Sequence, residues 1–257
     1  MQPTGVPQIF SLARRRRRGQ RAATRRLRSE NCARFLAEEI GTDMADRLAF
    51  VRADPDKLLL IGQIGGAIRS QFPSKPITYG HALDLEKPYD LGNLTDQFDF
   101  VGIGGQLDAV NDLPGALIHA RNALTPGGLV IASFVGGASL PRLRAAMMAA
   151  EPDRPAARIH PLVDPRAAPG LLQRAGWKDP VVDTYTLNVR YSSLDRLVSD
   201  LRDQAQGNAF AEPATPLGQA ALQRAREAFL DGADADGKVT ETFEIITLTG
   251  RRSLAGT

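Results

Sequence analysis

Phe98-Asp99-Phe100-Val101-Gly102-Ile103-Gly104, then Asn111-Asp112-Leu113-Pro114-Gly115-Ala116-Leu117, then Pro126-Gly127-Gly128-Leu129-Val130-Ile131-Ala132-Ser133-Phe134 read together as strand, helix and strand. Phe98 to Ile103 is nearly continuous in apolar side chains, the pattern of a strand covered on both faces. Asn111 or Asp112 can cap the helix that follows. Leu113, Leu117, Ala120 and Leu124 share one face of it, and Pro114 is tolerated in its first turn. Pro126-Gly127-Gly128 ends that helix, and Leu129 to Phe134 is expected to be the next buried strand.

Upstream, Leu36, Ile40, Met44 and Leu48 recur every fourth residue, which predicts a helix from about Glu30 to Ala49 covering the sheet's edge. Leu58 to Ile61 is a short apolar run that ends in glycine, as a buried parallel strand does. The chain then turns through Gly62-Gln63-Ile64-Gly65-Gly66 into a helical segment, Ala67 to Gln71, that stops before Pro73. Downstream, Ser139 starts a helix with Leu140, Leu143 and Met147 inward, and Arg166 to Ala175 forms another, stopped by Gly176. Trp177 to Val189 is strand material. Ser192 with Asp195 makes a capping box for a helix bearing Leu194, Leu197, Val198 and Leu201. Thr215-Pro216 opens a further helix ending near Gly232, and Thr240 to Leu248 alternates as a final strand. Strands alternating with helices imply an α/β fold with a doubly wound, mostly parallel sheet, and the two closing strands imply an antiparallel edge.

A chain of 257 residues, 43% hydrophobic and 24% charged, can bury one sizeable core. The lone Cys32 can form no internal disulfide, and no apolar run approaches the roughly 18–20 residues of a membrane span. A soluble protein of a reducing compartment is the expectation. The net charge of +3 conceals a segregation: residues 1–28 hold nine arginines and no acid, leaving 23 basic against 29 acidic residues elsewhere, a balance of −6. The reading is a basic N-terminal arm and helix over residues 1–50 and a second unit over 51–257. Such an arm can fold back on an acidic body or grip phosphates. It comes without aromatic stacking residues or a DNA-reading motif, which argues against nucleic acid as the partner.

In open parallel sheets, ligands bind outside the carboxyl ends of the strands, where strand order reverses. The loop after the first strand holds three glycines in five residues, so backbone can approach a ligand closely there, ahead of the unpaired N–H groups of the next helix. Glycine-rich turns of this kind are also common for purely structural reasons.

Four further segments carry a resemblance: Val110-Asn111-Asp112-Leu113-Pro114-Gly115-Ala116-Leu117, Leu124-Thr125-Pro126-Gly127-Gly128-Leu129, Phe134-Val135-Gly136-Gly137-Ala138-Ser139-Leu140 and Leu171-Leu172-Gln173-Arg174-Ala175-Gly176-Trp177. Tyr191-Ser192-Ser193-Leu194 and Gly207-Asn208-Ala209 extend it. Nearly the whole chain resembles the class I S-adenosylmethionine-dependent methyltransferases. The branch it resembles holds the malonyl-carrier-protein methyltransferase of biotin synthesis and a respiratory complex I assembly factor, with the motifs nearer the latter. The resemblance implies a Rossmann-like methyltransferase fold, S-adenosylmethionine as cofactor, another protein as substrate or client, and a bacterial cytoplasmic setting. It also implies that Gly62, Gly65, Gly66, Asp84 and Gln106 line the cofactor pocket. No residue is assigned as a catalytic base.

The departures fall in the site. Leu60 stands where the family's first motif has an acid, and Ile64 where it has the middle glycine; Gly62 and Gly66 match. Asp108-Ala109 replaces a His-Trp pair. Only 37 residues separate Gly62 from Phe100, where two helix-strand units need roughly 50 at ordinary lengths, so one unit is shortened. With Asp84-Leu85-Glu86 placed after the third strand, the missing unit is the second strand, together with the carboxylate that would hold the ribose hydroxyls. Two functions therefore compete: a methyltransferase-family enzyme, and a catalytically inactive assembly or binding factor of the same fold.

Other chemistries are excluded. His81, His119 and His160 have no ligand spacing with Cys32 or with each other, so no metal site is expected. Asp231, Asp234 and Asp236 miss the offsets of a calcium loop, and no serine nucleophile elbow occurs.

Overall fold

The structure is a computed structural model that describes residues 7–80, 85–86, 94–105, 107–153 and 155–254. Six strands form one sheet: β1 (Leu58–Ile61), β2 (Ile77–Tyr79), β3 (Phe98–Gly104), β4 (Leu124–Gly136), β5 (Lys178–Tyr191) and β6 (Val239–Arg251), in the order β2-β1-β3-β4-β6-β5. The four strands from β2 to β4 run parallel, β6 is antiparallel to β4, and β5 is antiparallel to β6 at the edge. The alternation of strands and helices thus yields the expected doubly wound sheet and antiparallel edge.

Burial explains why β1 is a strand. All four of its side chains are fully buried; Leu58 and Leu60 join the core on one face, Leu59 and Ile61 the core on the other. The helices are α1 (Leu12–Arg28), α2 (Phe35–Phe50), α3 (Gly65–Gln71), α4 (Leu113–Ala123), α5 (Pro141–Ala150), α6 (Ala168–Arg174), α7 (Leu194–Asp203) and α8 (Gln219–Leu230). In α2, Leu36, Ile40, Met44 and Leu48 are buried at the expected spacing. The helix lies against α3, β3 and β4, on a face of the sheet rather than at its edge. Trp177, the single tryptophan, is buried and donates Nε1–H to the Leu117 carbonyl at 3.0 Å, joining β5's root to α4.

Several boundaries differ from the sequence reading, each for a local reason. The cap of α7 is Ser193, not Ser192: its Oγ accepts from Arg196 N at 3.2 Å. Leu124 does not close α4 but begins β4, opposite Phe98, because the strand is continuous through Pro126-Gly127-Gly128. Ser139 does not start α5; its hydroxyl is spent on the Gly136 carbonyl at 2.6 Å, and Leu140 precedes the helix. Helix α8 begins at Gln219 behind Gly218, not at Thr215. The second strand is present as β2, parallel to β1, so it is not the missing unit.

Glu241 of β6 is fully buried and accepts from Arg142 N, Leu143 N and Thr242 N at 3.2, 2.8 and 3.0 Å, satisfying the first turn of α5. Glu241→Ala is expected to cost about 2–3 kcal/mol, since hydrogen bonds to a charged group are lost and buried donors stay unpaired. The shift in urea midpoint, followed through Trp177 fluorescence, checks it.

Candidate functional site

Strand order reverses at β1 and β3: the chain leaves β1 toward β2 on one side and returns to β3 on the other. A cavity of about 830 Å3 opens above the carboxyl ends of these strands. Its floor is Gly62, Gln63, Ile64 and Gly65 after β1, with Gly104 and Gly105 after β3; its roof is α1. The volume falls in the range of about 300–1,000 Å3 common to small-molecule sites.

The altered motif residues pack into the protein itself. Gly62 has φ +100°, and a Cβ there would stand 2.2 Å from the Gly104 carbonyl oxygen, so this glycine is demanded by the contact between the two strand ends. Ile64 is 2% exposed. Its Cγ2 lies over Gly104, where a Cβ would come within 2.2 Å of it, and its Cδ1 reaches over Gly102. Leu60 packs on Gly102 from the same side. Apolar packing among Leu60, Ile64, Ile40 and bare glycine backbone thus orders the loop in place of the acid.

Gly62 and Gly65 line the cavity. Gly66 does not, although a Cβ added to it would meet nothing within 4 Å. Asp84, Gln106 and His81 lie outside the described residues. Strand β2 ends at Tyr79 followed by Gly80, neither of which carries a carboxylate. His119 Nδ1 is 2.8 Å from the Leu85 carbonyl oxygen. Among the described residues no cluster of metal-ligating side chains occurs. The aspartate turn holds Arg190 and backbone N–H groups of Asp236 and Lys238, as a polar turn does.

The basic arm is an ordered roof. Arg18 donates Nη2 to both oxygens of Asp108 at 2.8 and 3.1 Å and Nη1 to the Gly207 carbonyl at 2.9 Å. Asp108 is fully buried, with the Nε2 of buried His160 3.6 Å from its Oδ2. Burial alone would push the Asp108 carboxyl up, but the Arg18 guanidinium, joined by His160, holds it below the usual carboxylate range. Arg15 pairs with Glu86 at 3.0 Å. At the far end of α1, Asp203 of α7 accepts from Arg25 Nε and from Ala33 N, and Gln204 Oε1 accepts from Leu36 N at 2.7 Å.

Sequence reading missed the tether that starts this roof. Asn111 accepts from Phe10 N at 2.8 Å and donates Nδ2 to the Phe10 carbonyl at 3.0 Å, while Phe10 stacks on Phe210 and Ser11 N donates to the Ala209 carbonyl. The two motif segments around Asn111 and around Asn208-Ala209 carry this tether, but no local pattern joins either to Phe10.

Arg15, Arg16, Arg18, Arg26 and Arg34 line the cavity and no aspartate or glutamate among the described residues does, though Arg15 and Arg18 are paired with Glu86 and Asp108 behind it. Among the described residues no helix is long and apolar enough to cross a membrane.

No family model matches the chain. Among curated proteins it is 32% identical over 246 residues to the human mitochondrial arginine-hydroxylase NDUFAF5, covering 84% of this chain and 69% of that protein. It is 28% identical over 238 residues to the malonyl-[acyl-carrier protein] O-methyltransferase of Halorhodospira halophila, covering 82% of this chain and 79% of that protein. Among solved structures, a SAM-dependent methyltransferase from Archaeoglobus fulgidus aligns with a TM-score of 0.40 at 10% identity, over 82% of this chain and 94% of that one.

Proposed function

Because the chain belongs to the class I S-adenosylmethionine-dependent methyltransferase superfamily, on the branch of NDUFAF5 and the malonyl-carrier-protein methyltransferases, we propose that it binds an S-adenosyl nucleoside in the cleft under α1 and acts on another protein in the bacterial cytoplasm. The observation that carries this reading is the cavity of about 830 Å3 kept at the strand crossover in spite of Ile64.

The residues present fit such a ligand in shape. Gly105, with φ +71°, offers bare backbone to the cavity, with only the Gln206 side chain near a would-be Cβ, at 3.9 Å, whereas Gly65 lines the cavity with the Tyr79 ring 2.8 Å from the place its Cβ would take. Gly62 sets the turn, Gly66 leaves room beside it, and Asp84 and Gln106 complete the assignment by their place in the sequence. When bound, S-adenosylmethionine supplies an activated methyl group, so the protein's task is to orient two partners and exclude water.

The charge of the wall favours the second reading, a catalytically inactive assembly factor. The guanidinium groups of Arg26 and Arg34, which have no ion-pair partner among the described residues, disfavour a sulfonium cation and leave the neutral S-adenosylhomocysteine less affected. The two readings separate on affinity and transfer. S-adenosylhomocysteine is expected to raise the melting point, by about 2.7 kcal/mol of added stability at a hundredfold excess over its Kd, and to bind tighter than S-adenosylmethionine. Methyl-labelled cofactor incubated with the chain and a proteome from its host then decides activity: a labelled protein establishes the enzyme, and binding without label establishes the assembly factor. Absence of any melting shift at millimolar ligand removes both the nucleoside and the methyl-transfer claims.

A further inference from the structure

We infer that the part of the cleft formed by Arg26 of α1 and Arg34 before α2 is a subsite for a phosphate group carrying two negative charges, as a phosphate monoester or a diphosphate does. The subsite shares the cavity with the proposed nucleoside but does not depend on it.

The other arginines of the roof show by contrast what is unusual here. Arg15 and Arg18 line the cavity too, but each is neutralised, by Glu86 and by Asp108. Arg26 is not neutralised in this way: it donates Nη1 to the backbone carbonyl of Asp203 at 2.9 Å, while the carboxylate of Asp203 is taken by Arg25 and the Ala33 N–H. The guanidinium of Arg34 has no hydrogen-bond or ion-pair partner among the described residues. Two like charges therefore line one cleft, Arg26 half-buried and Arg34 exposed. Burial first, and the field of Arg34 next, hold Arg26 below the ordinary arginine value although Asp203 offsets part of it, so an anion beside both guanidinium groups would relieve their repulsion.

Charge and shape select the anion. Two guanidinium groups match a dianion, and each presents a planar fork of donors to tetrahedral oxygens. A single carboxylate would satisfy one fork and leave the other cation uncompensated. Duplex nucleic acid is too wide for a roofed cleft of this volume, and the exposed Arg17 and Arg21 on the outer side of α1 are the residues it would use instead.

Calorimetric titration of the full chain with inorganic pyrophosphate, at constant ionic strength, tests the inference. Saturable one-site binding is expected, with acetate giving none. Arg26→Gln/Arg34→Gln should weaken pyrophosphate at least tenfold, and Arg34→Gln alone, at a side chain that holds nothing in the fold, should weaken it several-fold. Arg17→Gln/Arg21→Gln should leave it unchanged. The inference is overturned if pyrophosphate does not bind, if Arg34→Gln binds as wild type does, or if the outer-face variant loses as much as the inner one. Titration with S-adenosylhomocysteine keeps the two claims apart: pyrophosphate binding without it leaves the subsite standing and removes the nucleoside, and the converse result removes the subsite alone.

Discussion

Asp108→Ala is expected to destabilise the protein by about 3–5 kcal/mol, because it strands the Arg18 guanidinium and buried His160 without their carboxylate. Urea unfolding followed at Trp177 measures the loss, and a double-mutant cycle with Arg18→Ala isolates the pair. Acid provides a second check with a definite sign. The folded Asp108 pKa lies below its unfolded value of about 3.9, so its stabilisation is fully present above that value and is lost as pH falls through the lower folded one. Wild type and Asp108→Ala should therefore differ most near neutrality and converge in strong acid. A constant difference across that range would show that Asp108 acts through packing and not through charge. Since Arg18 belongs to the roof, the same substitution is expected to loosen α1 over the cleft.

Ile64→Gly carries the other large effect, with opposite signs on stability and binding. Removing a buried β-branched side chain from beside Leu60, Ile40 and Gly104 is expected to cost about 2–5 kcal/mol and to leave a void over β3. The same change lets backbone reach the ligand where the family's middle glycine does, and S-adenosylhomocysteine should bind about tenfold tighter, a gain of about 1.4 kcal/mol. Calorimetry gives the affinity and a denaturation curve the stability. Unchanged or weaker binding would mean that Ile64 stands outside the ligand's path.

Much of the fold was legible in the residues because the main strands are apolar throughout and the helices keep a four-residue rhythm. Leu58 to Ile61, Phe98 to Ile103 and the face of Leu36, Ile40, Met44 and Leu48 needed no tertiary information. Strand β2 escaped because Ile77-Thr78-Tyr79 is three residues long, partly exposed, and paired on one side to β1 among the described residues. Helix ends slipped where two candidates stood side by side, as with Ser192 and Ser193, since the choice rests on backbone geometry and not on residue type. The floor of the site was visible in Gly62 and Gly65. The roof was not: that Arg18 meets Asp108, ninety positions away, and that Asn111 grips Phe10 are consequences of folding that no local pattern encodes. Asp108, read as a departure from a His-Trp pair, proves to be the carboxylate that fixes the arm.

Hydrogen exchange of the full chain with and without S-adenosylhomocysteine tests most directly whether the cleft between the Gly62–Gly65 turn and α1 is the binding site. Slowed exchange confined to residues 62–71, 104–105 and 12–28 is the result expected. Unchanged exchange in those segments at saturating ligand, or protection confined to another part of the molecule, would contradict it.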